Sequence, residues 1–422
     1  MKTTITKTLC VVALPLILAG AAHAQTQFVP GDLAVLQVGD GSAAIGSHGN
    51  PIIVADYQTN GTFVSQVNIP TNGDDALVQG GSAFSGMLSL STDGQYLVLQ
   101  GYNTNIPYTL TSSIDTSTSI AVPRGVGTVD AFGNFILDVI TTNKFSGGTI
   151  RGAVTDGQGN FWAGGSKDGI QYLGTNFSPG TISGAGAGAI RDMLMVNGSI
   201  YFSTSQYPAT GSNGLAAFIG APTNAATPTL VINASTNLIP GATGTPNPKG
   251  FAINPALTIA YYVDMQGIGT GGGIERFTGD GSGTNWVYQY TLTYTTDPFQ
   301  ELAVDFSGTN PVVYAIAATG SPNLLVSVVD TGAASTFNFL TFSPTSTVFR
   351  GLTFAPIHQA AKAPPATLSI VRSGTNVIVT WTSTGVLQST TQFGTGFTDV
   401  PAAPVSPYTT GITGTNQFFR VR

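Results

Sequence analysis

The apolar residues of this chain come in short runs, and these runs predict strands. Each run is roughly four to eight residues long and rich in Val, Ile, Tyr, Phe and Thr, with Gly, Asn, Asp or Pro at its ends. No stretch of about 12 residues keeps the 3.6-residue apolar period that an amphipathic helix requires. We therefore expect an all-β protein.

One unit recurs along the chain: a short apolar strand, a tight turn, and a second, stronger strand. Its copies are GMLSLSTDGQYLVLQG from Gly86, GAVTDGQGNFWAGG from Gly152, DMLMVNGSIYFSTS from Asp192, GFAINPALTIAYYVD from Gly250 and ELAVDFSGTNPVVYAIAA from Glu301. Two weaker apolar runs follow each copy. Four strands in a repeat of roughly 40 to 60 residues are typical of a propeller blade.

A sixth copy, GLTFAP from Gly351, stops after one strand. Near the other end, LAVLQVG from Leu33, PIIVADY from Pro51 and TFVSQVNI from Thr62 have no partner of their own. We expect these strands to pair with the last inner strand, because this closes the ring and removes two open sheet edges. The prediction is a six-bladed β-propeller over residues 25–356. Seven blades are the alternative, if residues 100–144 contain a degenerate one.

This repeat pattern resembles secreted bacterial β-propellers of the broad superfamily that includes YVTN-type and lactonase-like proteins. The resemblance covers roughly residues 31–356 and concerns architecture. The blade-specific WD and kelch motifs do not occur, so the resemblance implies a fold and transfers no catalytic residue.

The C-terminal part has a different pattern. Residues 357–366 read IHQAAKAPPA, an Ala/Pro-rich linker, and residues 367–422 contain five further predicted strands. The segment LQST, a later tyrosine and the terminal FFRVR resemble the immunoglobulin- or fibronectin-like modules at the C-termini of secreted bacterial proteins. We expect a small β-sandwich, and the resemblance implies a role in attachment or secretion.

Residues 1–24 have the pattern of a signal peptide. Lys2 and Lys7 precede an apolar stretch, and Ala22-His23-Ala24 matches a cleavage site. We expect a secreted protein, extracellular or periplasmic, that begins at Gln25. No apolar run approaches the ~20 residues of a membrane span.

Composition excludes several kinds of chemistry. Cys10 is the only cysteine, so disulfides and thiolate sites are not expected in the secreted chain. The net charge of −6 disfavours nucleic acid and anionic membranes as partners. His48 and His358 stand in predicted loops, and no G-x-S-x-G motif occurs. We assign no metal, no cofactor and no catalytic residue.

Aspartates that precede glycines admit two interpretations. Asp93, Asp156 and Asp280 each precede a glycine, and the segments at Asp156 and Asp280 share some features with calcium loops but contain too few acidic residues for one. Turn formation is the simpler explanation, because Asp-Gly is a preferred turn pair.

The residue in front of each inner strand forms the most informative series. The series is Ser85, Arg151, Arg191, Lys249, Gln300 with Glu301, and Arg350. Inner strands of a propeller run parallel around the channel, so equivalent positions form a ring at one of its ends. Four cations on such a ring are notable in a chain with 14 Lys and Arg. They either tie the blades to neighbouring carbonyls and to Glu301, or bind a ligand.

Loop lengths point to the same end of the channel. The connections 71–85, 102–122 and 206–213 are long, and in a propeller they open on the face that carries the ring. We predict a monomeric, non-catalytic scaffold or binding protein. Its predicted ligand is an anionic glycan or small anion, bound by Arg151, Arg191, Lys249, Glu301 and Arg350. The alternatives are an enzyme acting on a polysaccharide or lactone, and a structural or adhesive surface protein.

Overall fold

The computed structural model describes most of the chain. The described residues are 28–109, 111–174, 180–181, 189–207, 210–234, 243–295, 297–318, 320–357, 368–381, 386–391, 397–401, 404–412 and 416–421. The predicted signal peptide, His358 and most of the predicted linker lie outside these ranges. Within them the secondary structure is β-strand, apart from two short 3₁₀ turns at Ile114–Thr116 and Ile268–Thr270. The expected all-β class is confirmed.

The described residues of the first of two compact units, which ends at Ile357, contain 24 strands. The first seven are β1 (Leu33–Val38), β2 (Ile52–Tyr57), β3 (Phe63–Asn68), β4 (Leu88–Leu90), β5 (Tyr96–Tyr102), β6 (Arg124–Asp130) and β7 (Phe135–Thr141). The next eight are β8 (Ile150–Thr155), β9 (Phe161–Gly165), β10 (Ile170–Tyr172), β11 (Gly180–Thr181), β12 (Ile190–Val196), β13 (Ser199–Thr204), β14 (Gly214–Phe218) and β15 (Thr229–Asn233). The last nine are β16 (Pro248–Ile253), β17 (Ile259–Asp264), β18 (Gly273–Gly279), β19 (Trp286–Leu292), β20 (Phe299–Asp305), β21 (Val312–Ala317), β22 (Leu324–Val329), β23 (Asn338–Phe342) and β24 (Val348–Phe354).

In the described residues of this unit the strands form six antiparallel sheets of four. Five follow chain order, beginning at β4, β8, β12, β16 and β20, and the sixth has the order β24-β1-β2-β3. The first strands of these sheets contact one another in sequence, and β24 contacts β4. Four-stranded sheets arranged around a closed circle of inner strands form a β-propeller.

The two ends of this unit meet in one sheet, as the sequence predicts. Strand β1 pairs with β24, with Leu33 opposite Phe354 and Val38 opposite Val348. Its other edge pairs with β2, which pairs with β3. All six residues of β1 are buried. Neighbouring sheets cover both faces of such a strand, which is why its sequence is a continuous apolar run rather than an alternating one.

Residues 100–144 do not form a sheet of their own in the described part of the chain. They provide β6 and β7, which pair in order with β5. The long connection in front of β6 contains the first 3₁₀ turn and lies at the same end of the sheet as the start of the inner strand β4.

The hairpin turns have two different backbone conformations. Asn197 and Gly198 both have positive φ, 50° and 72°, as expected for a tight Asn-Gly turn. At Asp156-Gly157 only the glycine has a positive φ, 74°. There Asp156 Oδ1 accepts from the backbone N–H groups of Gln158 and Asn160. The carboxylate therefore caps the turn, which supports the turn interpretation.

The second unit begins at His358 and contains two sheets of three strands in its described residues. Its strands are β25 (Leu368–Ser373), β26 (Asn376–Trp381), β27 (Leu387–Thr390), β28 (Thr398–Asp399), β29 (Tyr408–Gly411) and β30 (Phe418–Val421). The orders are β25-β26-β29 and β28-β27-β30. Buried side chains from both sheets share one cluster, which includes Val379, Trp381, Leu387 and Val400. None of the described helical segments in either unit has the length or apolarity to cross a membrane.

Candidate functional site

A β-bulge stands at the start of five of the inner strands, and it involves the residue that the sequence singled out. The pairing of β8 with β9 skips Arg151, and that of β12 with β13 skips Arg191. The register of β16 shifts across Lys249, that of β20 across Gln300, and that of β24 across Arg350. Bulges re-aim side chains and are frequent beside functional sites. The repeated bulge therefore places these side chains at one end of the channel.

The structure brings two of the predicted cations, Arg151 and Arg191, together at the Phe84 side chain. Cζ of Arg191 lies 3.7 Å from the centroid of the Phe84 ring, and Cζ of Arg151 lies 5.3 Å from it. Arg350 packs beside Gly86, where an added Cβ would lie 3.0 Å from Arg350 Cβ. We call Arg151, Arg191, Lys249 and Arg350 the cation ring.

The guanidinium groups of the cation ring are largely buried but incompletely hydrogen-bonded. Arg191 is 9% exposed and donates from Nη2 to Ser205 Oγ at 3.2 Å. Its Nε and Nη1 have no acceptor among the described residues, and neither do Nε and Nη1 of Arg350, which is 5% exposed. No carboxylate in the described ranges lies within 4.0 Å of either group. Buried donors without acceptors cost about 1 to 3 kcal/mol each.

The guanidinium group of Arg151 has more hydrogen-bond acceptors than that of Arg191. Arg151 is half-buried and donates from Nε to Thr149 Oγ1 at 2.8 Å and from Nη1 to the Ile190 carbonyl at 3.3 Å. Burial lowers the pKa of Arg151, Arg191 and Arg350 to about 10. All three therefore keep their charge at neutral pH.

Lys249 belongs to the ring by position but is closed off from solvent. Its side chain is 0% exposed, and Nζ donates to Gln300 Oε1 at 3.0 Å. Burial lowers the pKa of Lys249, and the charge of Arg350 lowers it further, while Glu301 and Asp192 oppose this shift. The charges of the ring arginines and of the two carboxylates thus act on the ammonium group in opposite directions.

Those carboxylates occupy the next position of the repeat. Glu301 follows Gln300 and accepts from the Leu302 backbone N–H through Oε1 at 3.2 Å, while its Oε2 has no partner in the described ranges. Asp192 follows Arg191 and accepts from the Met193 backbone N–H at 2.7 Å. Burial raises the pKa of both. The sequence prediction included Glu301 and missed Asp192, although both stand one residue after a ring position.

A third carboxylate reaches the ring from a loop. Asp115, in the 3₁₀ turn Ile114–Thr116, accepts from Tyr102 Oη at 2.9 Å and from the Ser82 backbone N–H at 3.0 Å. Burial is the main influence on the pKa of Arg350, and the charge of Asp115 acts against it. Neither Asp115 nor Phe84 belongs to a repeat, so repeat alignment carries no signal for them.

The sequence matches no protein-family model and no curated protein. A nidogen/laminin complex is similar in structure, with a TM-score of 0.46 and 12% identity over 77% of this chain and 98% of the other. TolB from Acinetobacter baumannii has a TM-score of 0.44 and 10% identity over 76% and 67% of the two chains. The Pseudomonas aeruginosa periplasmic gluconolactonase PpgL has a TM-score of 0.41 and 11% identity over 92% and 98%. These similarities do not indicate what this chain binds.

Proposed function

We propose that this chain is a secreted, monomeric, non-catalytic β-propeller that binds an anion at the cation ring. The observation that carries this proposal is the set of buried guanidinium N–H groups of Arg191 and Arg350 without acceptors among the described residues. In this proposal the propeller has six blades, one for each four-stranded sheet, and residues 367–422 form an appended β-sandwich.

The chemistry of the donors defines the ligand. A guanidinium group presents parallel N–H donors that match the two oxygens of a carboxylate or phosphate. The anion we propose is a uronate-containing glycan, a carboxylated small molecule or a phosphate. Its charge would also offset the mutual repulsion of the ring, in which the charge of Arg151 adds to burial in lowering the pKa of Arg191.

A structural role is the second candidate, and Lys249 favours it. Its full burial and its hydrogen bond to Gln300 link β16 to β20 without any ligand. We propose that Lys249 holds neighbouring strands together, while the arginines bind the anion.

The experiment is calorimetric titration of the full chain with digalacturonate and with inorganic phosphate, at low and high salt. We expect binding that weakens as salt rises. Arg191→Gln and Arg350→Gln should each lower affinity about 10- to 100-fold, the worth of one charged hydrogen bond. Arg372→Gln, which removes an exposed cation of the second unit, is the matched control.

Thermal melting of the same variants distinguishes the two roles. Unchanged melting with lost binding supports the anion site. A loss of about 2 to 5 kcal/mol in stability, with no anion bound by the unmodified chain, would instead assign the arginines to the fold. Equal binding of neutral sugars at high salt would exclude the proposal.

A further inference from the structure

The central channel contains a second candidate site, separate from the cation ring. A cavity of about 420 Å³ extends along the inner strands from Asp192 and Glu301 to Asn197, Pro255 and Phe306 near their ends. Its walls are mainly apolar and include Leu88, Leu90, Met195, Phe251, Leu302 and Leu352. A site of this volume with few polar groups is typical of small-molecule binding.

Neighbouring inner strands pack closely at the glycines that stand between the ring residues and the cavity lining. A Cβ on Gly351 would lie 2.6 Å from the Leu88 backbone nitrogen, and one on Gly250 would lie 2.2 Å from Glu301 Oε1. No residue of the cation ring is among those that line the cavity. At the other end Asn197 and Pro255 are exposed, so solvent enters the cavity from the face opposite the ring.

The end of the cavity nearer the ring carries two carboxyl groups. Asp192 and Glu301 both line it, and Glu301 is 3% exposed with Oε2 unpartnered among the described residues. Lys249 Nζ donates to Gln300 Oε1 rather than to Glu301. An ammonium group at this end would donate to Glu301 Oε2 and would favour the ionised form of that carboxyl.

We propose that the channel cavity binds a primary amine with a short apolar body. The ammonium group contacts Glu301 and Asp192, and the apolar body lies along the strand residues toward Asn197. The path from residue 192 to 197 covers five strand steps, about 17 Å. An alkyl chain of eight carbons fits within this length and matches the apolar walls.

Calorimetric titration of the full chain with n-octylamine, n-octanol and octanoate tests the proposal. These probes share one apolar body and differ in the head group. We expect n-octylamine to bind at least tenfold more tightly than n-octanol and to raise the melting temperature, and octanoate to bind most weakly. Octanoate binding as tightly as n-octylamine, or no amine binding at millimolar concentration, would overturn the proposal.

Two variants locate the binding. Glu301→Gln should weaken n-octylamine at least tenfold and leave n-octanol within about threefold, because the amide keeps the shape and loses the charge. If that variant does not fold, Leu194→Trp places a large side chain on the cavity wall and should reduce binding of both probes. Ile219→Trp, at an exposed position outside the cavity, is its control. Full amine binding by Leu194→Trp would show that the amine binds elsewhere. Loss of anion binding in Arg191→Gln leaves this prediction unaffected.

Discussion

The carboxylate of Glu301 lies directly against the backbone of Gly250, so that a Cβ at position 250 would be 2.2 Å from Glu301 Oε1 and 2.8 Å from Glu301 Cα. The two residues belong to neighbouring inner strands, β16 and β20. Glycine is required here by this close approach of a neighbouring strand, since no positive φ is involved.

Gly250→Ala should therefore destabilise the protein. The new methyl group cannot be accommodated unless the Glu301 backbone moves, and overpacking of this kind costs about 1 to 3 kcal/mol. Urea denaturation of the variant measures the change. Gly269→Ala is the matched control, because nothing lies within 4 Å of a Cβ there, and it should stay within about 0.5 kcal/mol of the parent. Equal stabilities of the two variants would contradict the proposed packing.

Much of this arrangement follows from the sequence because the propeller repeats it. Strands covered on both faces must be apolar throughout, which made the inner hairpins and the pairing of Leu33 with the last strand predictable. The common position of Arg151 and Arg191 followed from the same alignment. The same alignment could have identified Asp192 as a site residue, because it occupies the repeat position that Glu301 occupies in another copy.

Other parts of the site could not be predicted in this way. The bulge at Arg350 depends on which residue of β1 faces it, and pairing register is not readable from one strand alone. Phe84 and Asp115 come from irregular connections whose path is set by tertiary packing. The local sequence of these loops predicts that they are polar and long. It does not predict which guanidinium groups they approach.

A disulfide between β1 and β24 should stabilise the closed propeller. Ala34 and Thr353 lie directly opposite each other, a geometry in which Cβ atoms are about 4.5 to 5.5 Å apart. In Ala34→Cys/Thr353→Cys the bond would close a loop of most of the unit, and chain-entropy arguments give up to about 5 kcal/mol. Melting of the oxidised and reduced forms measures the difference, with each single variant as control. Failure of the two cysteines to cross-link would contradict the register.

The buried carboxyl of Asp56 should make stability depend on pH. Oδ2 accepts from the Val29 backbone N–H at 3.1 Å, and Oδ1 has no partner in the described ranges. Burial raises the pKa from 3.8 to about 6, with a smaller contribution from the charge of Asp32. Because the folded state binds this proton more tightly than the unfolded chain, its ionisation destabilises the fold as pH rises through about 6.

Asp56→Asn removes this ionisation and keeps an oxygen for Val29. We expect the variant to exceed the parent in stability by about 1 to 3 kcal/mol at pH 7.5, and the difference to disappear toward pH 4. Urea denaturation across this range provides the test. Asp75→Asn, at an exposed position, is the control. A variant whose deficit in stability relative to the parent grows as pH rises from 4 to 7.5 would show that Asp56 is stabilised as an anion.

The second unit should unfold independently of the propeller. Its cluster of Val379, Trp381, Leu387 and Val400 consists of its own residues, so its stability should not depend on the rest of the chain. Trp381 is 6% exposed, and replacing a buried tryptophan by alanine costs about 3 to 5 kcal/mol. Calorimetry of Trp381→Ala should therefore lower or remove one transition and leave the propeller transition in place.

A chain that ends at Ala363 provides the complementary measurement. It should keep the propeller transition at its original temperature and keep any anion binding at the cation ring. Trp162→Phe is the converse control, a change within the propeller. Trp162 is buried there and donates to the Pro222 carbonyl at 2.7 Å. That variant should lower only the propeller transition, since the lost hydrogen bond and volume lie entirely within the first unit. If the chain ending at Ala363 loses cooperative melting, the two units share a core, and the separate folding argued from the cluster around Trp381 is wrong.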